Sequence, residues 1–156
     1  MIRVCFVCSG NICRSPSAEI VMRRLLDEAG LADEVEVSSA GLGDWHVGEG
    51  ADPRSLAEMA TRGYDGSRHR ARQFDSAWFA DHDLVVAMDD SHLRDLRRLA
   101  PPDDVDNVAL LMSFAGQHVD VPDPYYGGPG GFSDVLDMVE QGCRGLLETL
   151  RLQLAQ

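Results

Sequence analysis

The chain has 156 residues, 14 basic against 26 acidic, and a formal net charge of −12. Every basic residue is arginine, which excludes a Schiff-base lysine, a lysine general base and a nucleotide loop ending in Gly-Lys-Ser/Thr. The acidic balance argues against a nucleic-acid partner, since phosphate backbones are held by excess positive charge, yet fourteen arginines remain to build a local anion site.

Ile2 to Val7 is a near-continuous apolar run, as in a buried parallel strand. Ser15-Pro16 then opens a helical pattern, with a capping hydroxyl and Pro at the first helical position. Ala18, Val21, Met22, Leu25, Leu26 and Ala29 follow as a helical stripe, and Gly30 stops it. Glu34 to Ser38 alternates and predicts a second strand. Gly41 to Gly50 is a glycine-rich loop carrying Trp45. Pro53 opens a short helix that ends near Gly63, and Arg68 to Gln73 is a polar basic segment. Leu84 to Met88 predicts a third strand, and Ser91 starts a helix that Pro101-Pro102 ends. Val108 to Met112 predicts a fourth strand, Val121 to Gly131 a Pro/Gly/Tyr loop, and Phe132 to Leu154 a long helix with Gly142 and Gly145 near its middle. Strands alternating with helices predict an α/β fold with a mostly parallel sheet. The length suits one domain over residues 1–156.

No apolar run approaches the roughly 20 residues of a membrane span. The short stretch Met1 to Val7 is followed by Cys-Ser-Gly-Asn and not by a small-residue cleavage site, so it does not read as a signal peptide. A soluble cytoplasmic protein is expected, with signal-independent export left open. The four cysteines, Cys5, Cys8, Cys13 and Cys143, suit neither a disulfide scaffold nor a zinc site; they predict reduced thiols, one or more of them reactive. Cys5 and Cys143 are expected in the core.

The segment Cys8-Ser9-Gly10-Asn11-Ile12-Cys13-Arg14-Ser15 lies between a predicted strand and a predicted helix. In open α/β sheets ligands bind there, beyond the carboxyl end of a strand. A short loop closing onto a helix N-terminus aims backbone N–H groups at one spot and makes an anion cradle. Gly10 permits a tight turn. Cys8 at the start of such a cradle is favoured as thiolate. The Arg14 fork can hold two oxygens of a phosphoryl group, and Ser15 can donate to the Cys8 sulfur. The pattern points to a phosphate monoester attacked by sulfur and a phosphocysteine then hydrolysed by water. The leaving oxygen needs a proton, and Asp123 in Asp123-Pro124-Tyr125-Tyr126 is the best candidate acid, with Asp120 its rival.

Cys8 to Ser15 together with Asp123-Pro124-Tyr125-Tyr126 resembles the low-molecular-weight protein tyrosine phosphatase family. Ser39-Ala40-Gly41, Trp45-His46-Val47-Gly48, Ala51-Asp52-Pro53-Arg54, His69 to Gln73 and Met88-Asp89 extend the resemblance over nearly the whole chain. The resemblance implies Cys8 as nucleophile, Arg14 as phosphate clamp and Asp123 as general acid. It implies that Asn11, Ser15, Ser39 and His69 form the network shaping the loop, and that Trp45, Tyr125 and Tyr126 line the entrance for a phosphotyrosine ring. Ser9, Gly10, Ile12 and Cys13 complete the phosphate-binding loop. The implied fold is a three-layer sandwich, a four-stranded parallel sheet flanked by helices on both faces, with no metal or cofactor. The expected partners are tyrosine-phosphorylated proteins, without nucleic acid or membrane, and the expected state is a monomer. Cys13 either packs or forms a disulfide with Cys8 under oxidation. Asp44 before Trp45, and Pro129-Gly130-Gly131 after the tyrosines, depart from the usual pattern and bear on substrate fit.

Three rival functions weigh less. Arsenate reduction through a thiol relay needs two resolving cysteines downstream, and Cys143 is the one present there. Phosphoarginine hydrolysis is associated with Thr where this loop has Ile12. A non-catalytic phosphotyrosine-binding or redox-sensing module does not need the intact Cys8, Arg14 and Asp123 set.

Overall fold

In the computed structural model, in which residues 1–125 and 130–156 are described, Ile2–Cys8 forms β1, an inner strand of the sheet. Val35–Gly41 (β2), Leu84–Ala87 (β3) and Val108–Leu110 (β4) complete a sheet in the order β2-β1-β3-β4, with every neighbouring pair parallel. Val4 sits opposite Val37, and Val7 opposite Ala87. Successive side chains of a strand point to opposite faces, so β1 divides the core in two. Val4, Phe6 and Cys8 join one cluster with Val21 and Met22 of α1 (Arg14–Glu28) and with Leu136 and Val139 of α4 (Gly131–Leu154). Cys5 and Val7 join the other, with Phe74, with Phe79 of the 3₁₀ helix Ser76–Asp81, and with Leu93 and Leu96 of α3 (Asp90–Leu99). Each fully buried aliphatic side chain contributes about 1.5–3 kcal/mol. Helices on both faces of a four-stranded parallel sheet make the three-layer α/β sandwich expected from the sequence. Met59 joins α2 (Pro53–Thr61) to the first cluster.

Several boundaries move, each for a physical reason. Helix α1 starts two residues early, at Arg14 and not Pro16, and Ser15 does not cap it; among the described residues no side chain caps this end. The Ser15 hydroxyl is engaged instead with Cys8, Asn11 and Ala40. At the other end Gly30 adopts φ +73°, and the Leu31 N–H closes onto the Leu26 carbonyl at 2.9 Å. Asp89, not Ser91, caps α3 by accepting from the His92 N–H at 2.9 Å. The fourth strand ends at Leu110, and Leu111–Ala115 turns into a 3₁₀ helix that buries Leu111 and Met112 against α4. That packing explains the glycines inside α4. A Cβ on Gly142 would come within 2.6 Å of Leu111, and one on Gly145 within 2.0 Å of the Phe114 carbonyl oxygen.

The chain runs from β1 to β2 on one side and reaches β3 on the other. The carboxyl end of β1 therefore lies at the switch point where an open α/β sheet forms its crevice. Cys8, the last residue of β1, stands there.

Candidate active site

Between Cys8 and α1 the backbone carbonyls are turned into the protein. The Cys8 and Ser9 carbonyls accept from the Leu42 and Gly43 N–H groups at 2.9 and 3.0 Å. The Asn11 carbonyl accepts from His69 Nε2 at 2.7 Å, Ile12 from the Asp52 N–H at 2.8 Å, and Cys13 from the Ser17 hydroxyl at 2.7 Å. With these carbonyls engaged outside, the loop's N–H edge is left for an anion. The close approach of Gly41 belongs to this design, since a Cβ there would meet the Ser9 carbonyl oxygen at 2.8 Å.

Asn11 holds the loop's shape. It is fully buried and adopts φ 59°, the left-handed region that Asn tolerates better than most residues. Its Nδ2 donates to Ser15 Oγ at 2.8 Å and to Ser39 Oγ at 3.0 Å, and its Oδ1 accepts from the Arg72 N–H at 3.0 Å. Directionality then propagates. Ser39 passes its hydrogen to Glu19 Oε1 at 2.7 Å, while the Ser15 hydroxyl lies 2.9 Å from Cys8 Sγ and 3.3 Å from the Ala40 carbonyl. A carbonyl can only accept, so His69 Nε2 carries the hydrogen of that bond. Burial pushes the His69 imidazole below its usual value, against the raising effect of its bond to Asn11. Asn11→Ala is expected to lower unfolding free energy by about 2–4 kcal/mol, the sum of αL strain and unpaired buried partners. Urea unfolding checks this, and a change below about 1 kcal/mol would show that the network is not holding the loop.

Arg14 is buried at the loop's far end. Its Nη1 donates to Asp89 Oδ2 at 2.9 Å and to the Val121 carbonyl at 3.0 Å, which fixes the guanidinium plane. Its Nη2 lies 3.7 Å from Asp123 Oδ2. Asp123 and Arg14 line the same pocket as Cys8. Asp120 does not line it; its Oδ1 accepts from the Asp90 N–H at 2.9 Å at the start of α3. The geometry thus separates the two candidate acids.

Asp89 and His92 are supporting residues whose roles the sequence reading missed. Burial opposes ionisation of Asp89, but the His92 N–H, the Ser91 hydroxyl and the nearby His92 and Arg14 side chains hold its carboxyl below the usual range. His92 is buried, with Nε2 2.8 Å from Ser9 Oγ and Nδ1 3.2 Å from Asp89 Oδ1. Burial pushes its imidazole down to about 4, against the raising effect of Asp89, so it is neutral at pH 7. A signal existed for Asp89: it follows β3, whose carboxyl end adjoins that of β1 at the switch point.

The pocket encloses about 390 Å³, within the range of about 300–1,000 Å³ usual for ligand sites. Ser9, Gly10 and Ile12 lie along it, and Trp45 and Tyr125 stand at its mouth, 71% and 39% exposed. His46 also lines it, close over Gly10, and pairs with Glu49. Tyr126 and Pro129 lie outside the described residues. Cys13 lines the pocket too. Burial first, then the nearby Asp52 and Cys8 charges, push its thiol up, so Cys13 stays protonated at neutral pH. Cys5 is pushed up to about 11, also by burial, and Cys143 moves the same way for the same reason; both lie in the core. Among the described residues no group of three or more His, Cys, Asp and Glu side chains is arranged to hold a metal ion.

A buried cysteine at the switch point of a parallel sheet, facing an arginine across an N–H cradle, defines a cysteine-dependent phosphatase. Comparison with known proteins supplies the family. The model of the low molecular weight phosphotyrosine protein phosphatase family matches residues 3–156, and the chain belongs to that family. A low molecular weight protein-tyrosine-phosphatase of Streptomyces coelicolor is 57% identical, covering 97% of this chain and 95% of the relative. Low molecular weight protein-tyrosine phosphatase A of Mycobacterium tuberculosis is 42% identical, covering 99% and 95%. A crystal structure of a protein tyrosine phosphatase from Entamoeba histolytica superposes with a TM-score of 0.94 at 34% identity, covering 98% of this chain and 99% of that one. The protein is therefore a phosphotyrosine-protein phosphatase that hydrolyses aryl phosphate monoesters through a phosphocysteine intermediate, and its substrates are phosphoproteins. Among the described residues no helix is long and apolar enough to cross a membrane.

Proposed function

We propose that Cys8, Arg14 and Asp123 carry the reaction. The Cys8 sulfur attacks phosphorus in line, and an S–P bond forms as the P–O bond to the phenol breaks. Asp123 gives its proton to the departing phenolic oxygen. Water then attacks the phosphocysteine, Asp123 takes back a proton, and inorganic phosphate leaves with Cys8 restored. Arg14 and the N–H groups of Ser9 to Ser15 hold the phosphoryl oxygens, where charge is spread in the transition state. The Ser15 hydroxyl, 2.9 Å from Cys8 Sγ, stabilises the sulfur as attacking and as leaving group. Trp45 and Tyr125, with Tyr126, receive the ring. The observation that carries this reading is the meeting of Asp123 with Cys8 and Arg14 in one pocket, an acid brought from more than a hundred residues away to the loop that holds the other two.

The reading takes residues 1–156 as one phosphatase domain, acting as a cytoplasmic monomer on tyrosine-phosphorylated proteins. A net charge of −12 supports a site for one small dianion and not for a polyanion. Asp44 and Asp120 are exposed near this face and disfavour acidic substrate peptides.

Steady-state hydrolysis of matched phosphotyrosine, phosphoserine and phosphoarginine peptides tests the substrate class. Phosphotyrosine is expected to exceed the others in kcat/KM by about 10²-fold or more. The deep cysteine needs the reach of an aryl ester, and Ile12 gives a guanidinium no hydroxyl to meet. Comparable rates for phosphoarginine would overturn the assignment.

A further inference from the structure

One cation outside the reacting set ties the acid segment to the phosphate loop. Arg54 lies in the first turn of α2 and is half exposed. On one side its Nε and Nη2 donate to the two carboxylate oxygens of Asp52, at 3.1 and 2.9 Å. Asp52 is buried and caps α2 by accepting from the Arg54 N–H at 2.8 Å. Its own N–H donates to the Ile12 carbonyl of the phosphate loop at 2.8 Å. Burial opposes ionisation, but hydrogen bonds from the Arg54 side chain and backbone hold the Asp52 carboxyl below the usual carboxylate range.

Elsewhere the same guanidinium meets the acid segment. Nη1 donates to the Tyr125 carbonyl at 3.2 Å. The Cζ carbon lies 5.2 Å from the centroid of the Tyr125 ring and 4.8 Å from that of Phe132, in the first turn of α4. The Tyr125 N–H donates to Asp123 Oδ1 at 3.0 Å. The contacts thus run from Ile12 through Asp52, Arg54 and Tyr125 to Asp123.

We propose that Arg54 is a positioning residue for the general acid, holding the backbone that carries Asp123 in the frame of the phosphate loop. This rests on the reading of Asp123 as the acid. A proton donor acts only within hydrogen-bond reach of the leaving oxygen, and small misplacements are costly. Arginine suits the task because its planar fork bonds a carboxylate with two nitrogens while a third reaches a carbonyl and its face meets aromatic rings; an ammonium group has no such plane. Aromatic rings and a satisfied carboxylate already occupy Arg54, so anchoring the acid, not gripping a substrate charge, is its assigned task.

The test compares kcat/KM for a phenyl ester, whose oxygen must be protonated to leave, with that for a dinitrophenyl ester, whose oxygen departs unaided. Arg54→Met keeps an unbranched apolar stem and removes the fork. It is expected to slow the phenyl ester about tenfold and the dinitrophenyl ester less than about twofold, a fraction of the full general-acid effect. Arg54→Lys should show the same selectivity at smaller size, which keeps the test valid if the methionine variant folds poorly. In an Asp123→Asn background, Arg54→Met should cost the phenyl ester less than about a further twofold, because the group it positions is gone. Equal slowing of both esters, or the full tenfold loss persisting without the Asp123 acid, overturns the proposal. The Asp123→Asn single variant separates the two readings. If it slows both esters equally, the acid assignment falls and this inference with it; if it is selective and Arg54→Met is not, the inference alone falls.

Discussion

Cys8→Ser is expected to abolish measurable turnover of aryl phosphates while the protein still folds. Sulfur is intrinsically nucleophilic and is held here at the foot of an N–H cradle. A serine hydroxyl in its place needs an adjacent base to be activated. The hydrogen-bond partner of this side chain is another hydroxyl, Ser15. Loss of a nucleophile in an otherwise intact site costs on the order of 10⁴–10⁶ in kcat. The fold is expected to survive, because one small buried side chain replaces another and the hydroxyl can still bond Ser15. The Asn11 network, the Arg14 bonds to Asp89 and Val121, and the loop carbonyl contacts do not involve the sulfur. The variant should therefore bind inorganic phosphate and keep its far-UV circular dichroism and thermal midpoint. Turnover above about a hundredth of the parent rate, with phosphocysteine absent by mass spectrometry, would exclude Cys8 as nucleophile.

The legible part of the site was the part written in consecutive residues. From Cys8 to Ser15 the chemistry, the turn and the helix start share one short stretch, so spacing alone aligns thiol, cradle and arginine. β1 and β3 were legible because burial on both faces leaves continuous apolar runs, and β2 by its alternation. Contacts that join distant segments are not spelled out by local spacing. Asp89 is marked only by its place after β3, yet it orients Arg14 from 75 positions away. His92 carries no such mark, yet it is buried against Ser9. Ser15 matched the pattern of a capping serine, but the sulfur, amide and carbonyl around it claimed the hydroxyl first. The strand expected to reach Met112 stops at Leu110, and the chain turns so that Leu111 packs against Gly142 of α4 and Met112 joins the same core cluster. Local preference sets the candidates, and the partners brought by the fold decide among them.

Asp123→Asn should slow esters with poor leaving groups far more than activated ones. The phenolate of tyrosine is a poor leaving group, and a positioned acid is worth about 10²–10⁴ in rate for such a departure. Asparagine keeps the shape, and its side-chain oxygen can still accept from the Tyr125 N–H as Asp123 Oδ1 does at 3.0 Å. What it lacks is a proton to give. A phosphotyrosine peptide or phenyl phosphate is therefore expected to lose about 10²-fold or more in kcat/KM, and a dinitrophenyl ester less than about tenfold. The same carboxyl lies 3.7 Å from Arg14 Nη2, so a phosphoryl group that engages Arg14 arrives directly beside it. Asp120 provides the control. Its carboxylate accepts from the Asp90 N–H at the start of α3 and does not line the pocket, so Asp120→Asn should leave the ratio of the two esters unchanged. If Asp123→Asn slows both esters alike while Asp120→Asn discriminates between them, the acid is Asp120 and the pocket must rearrange to admit it.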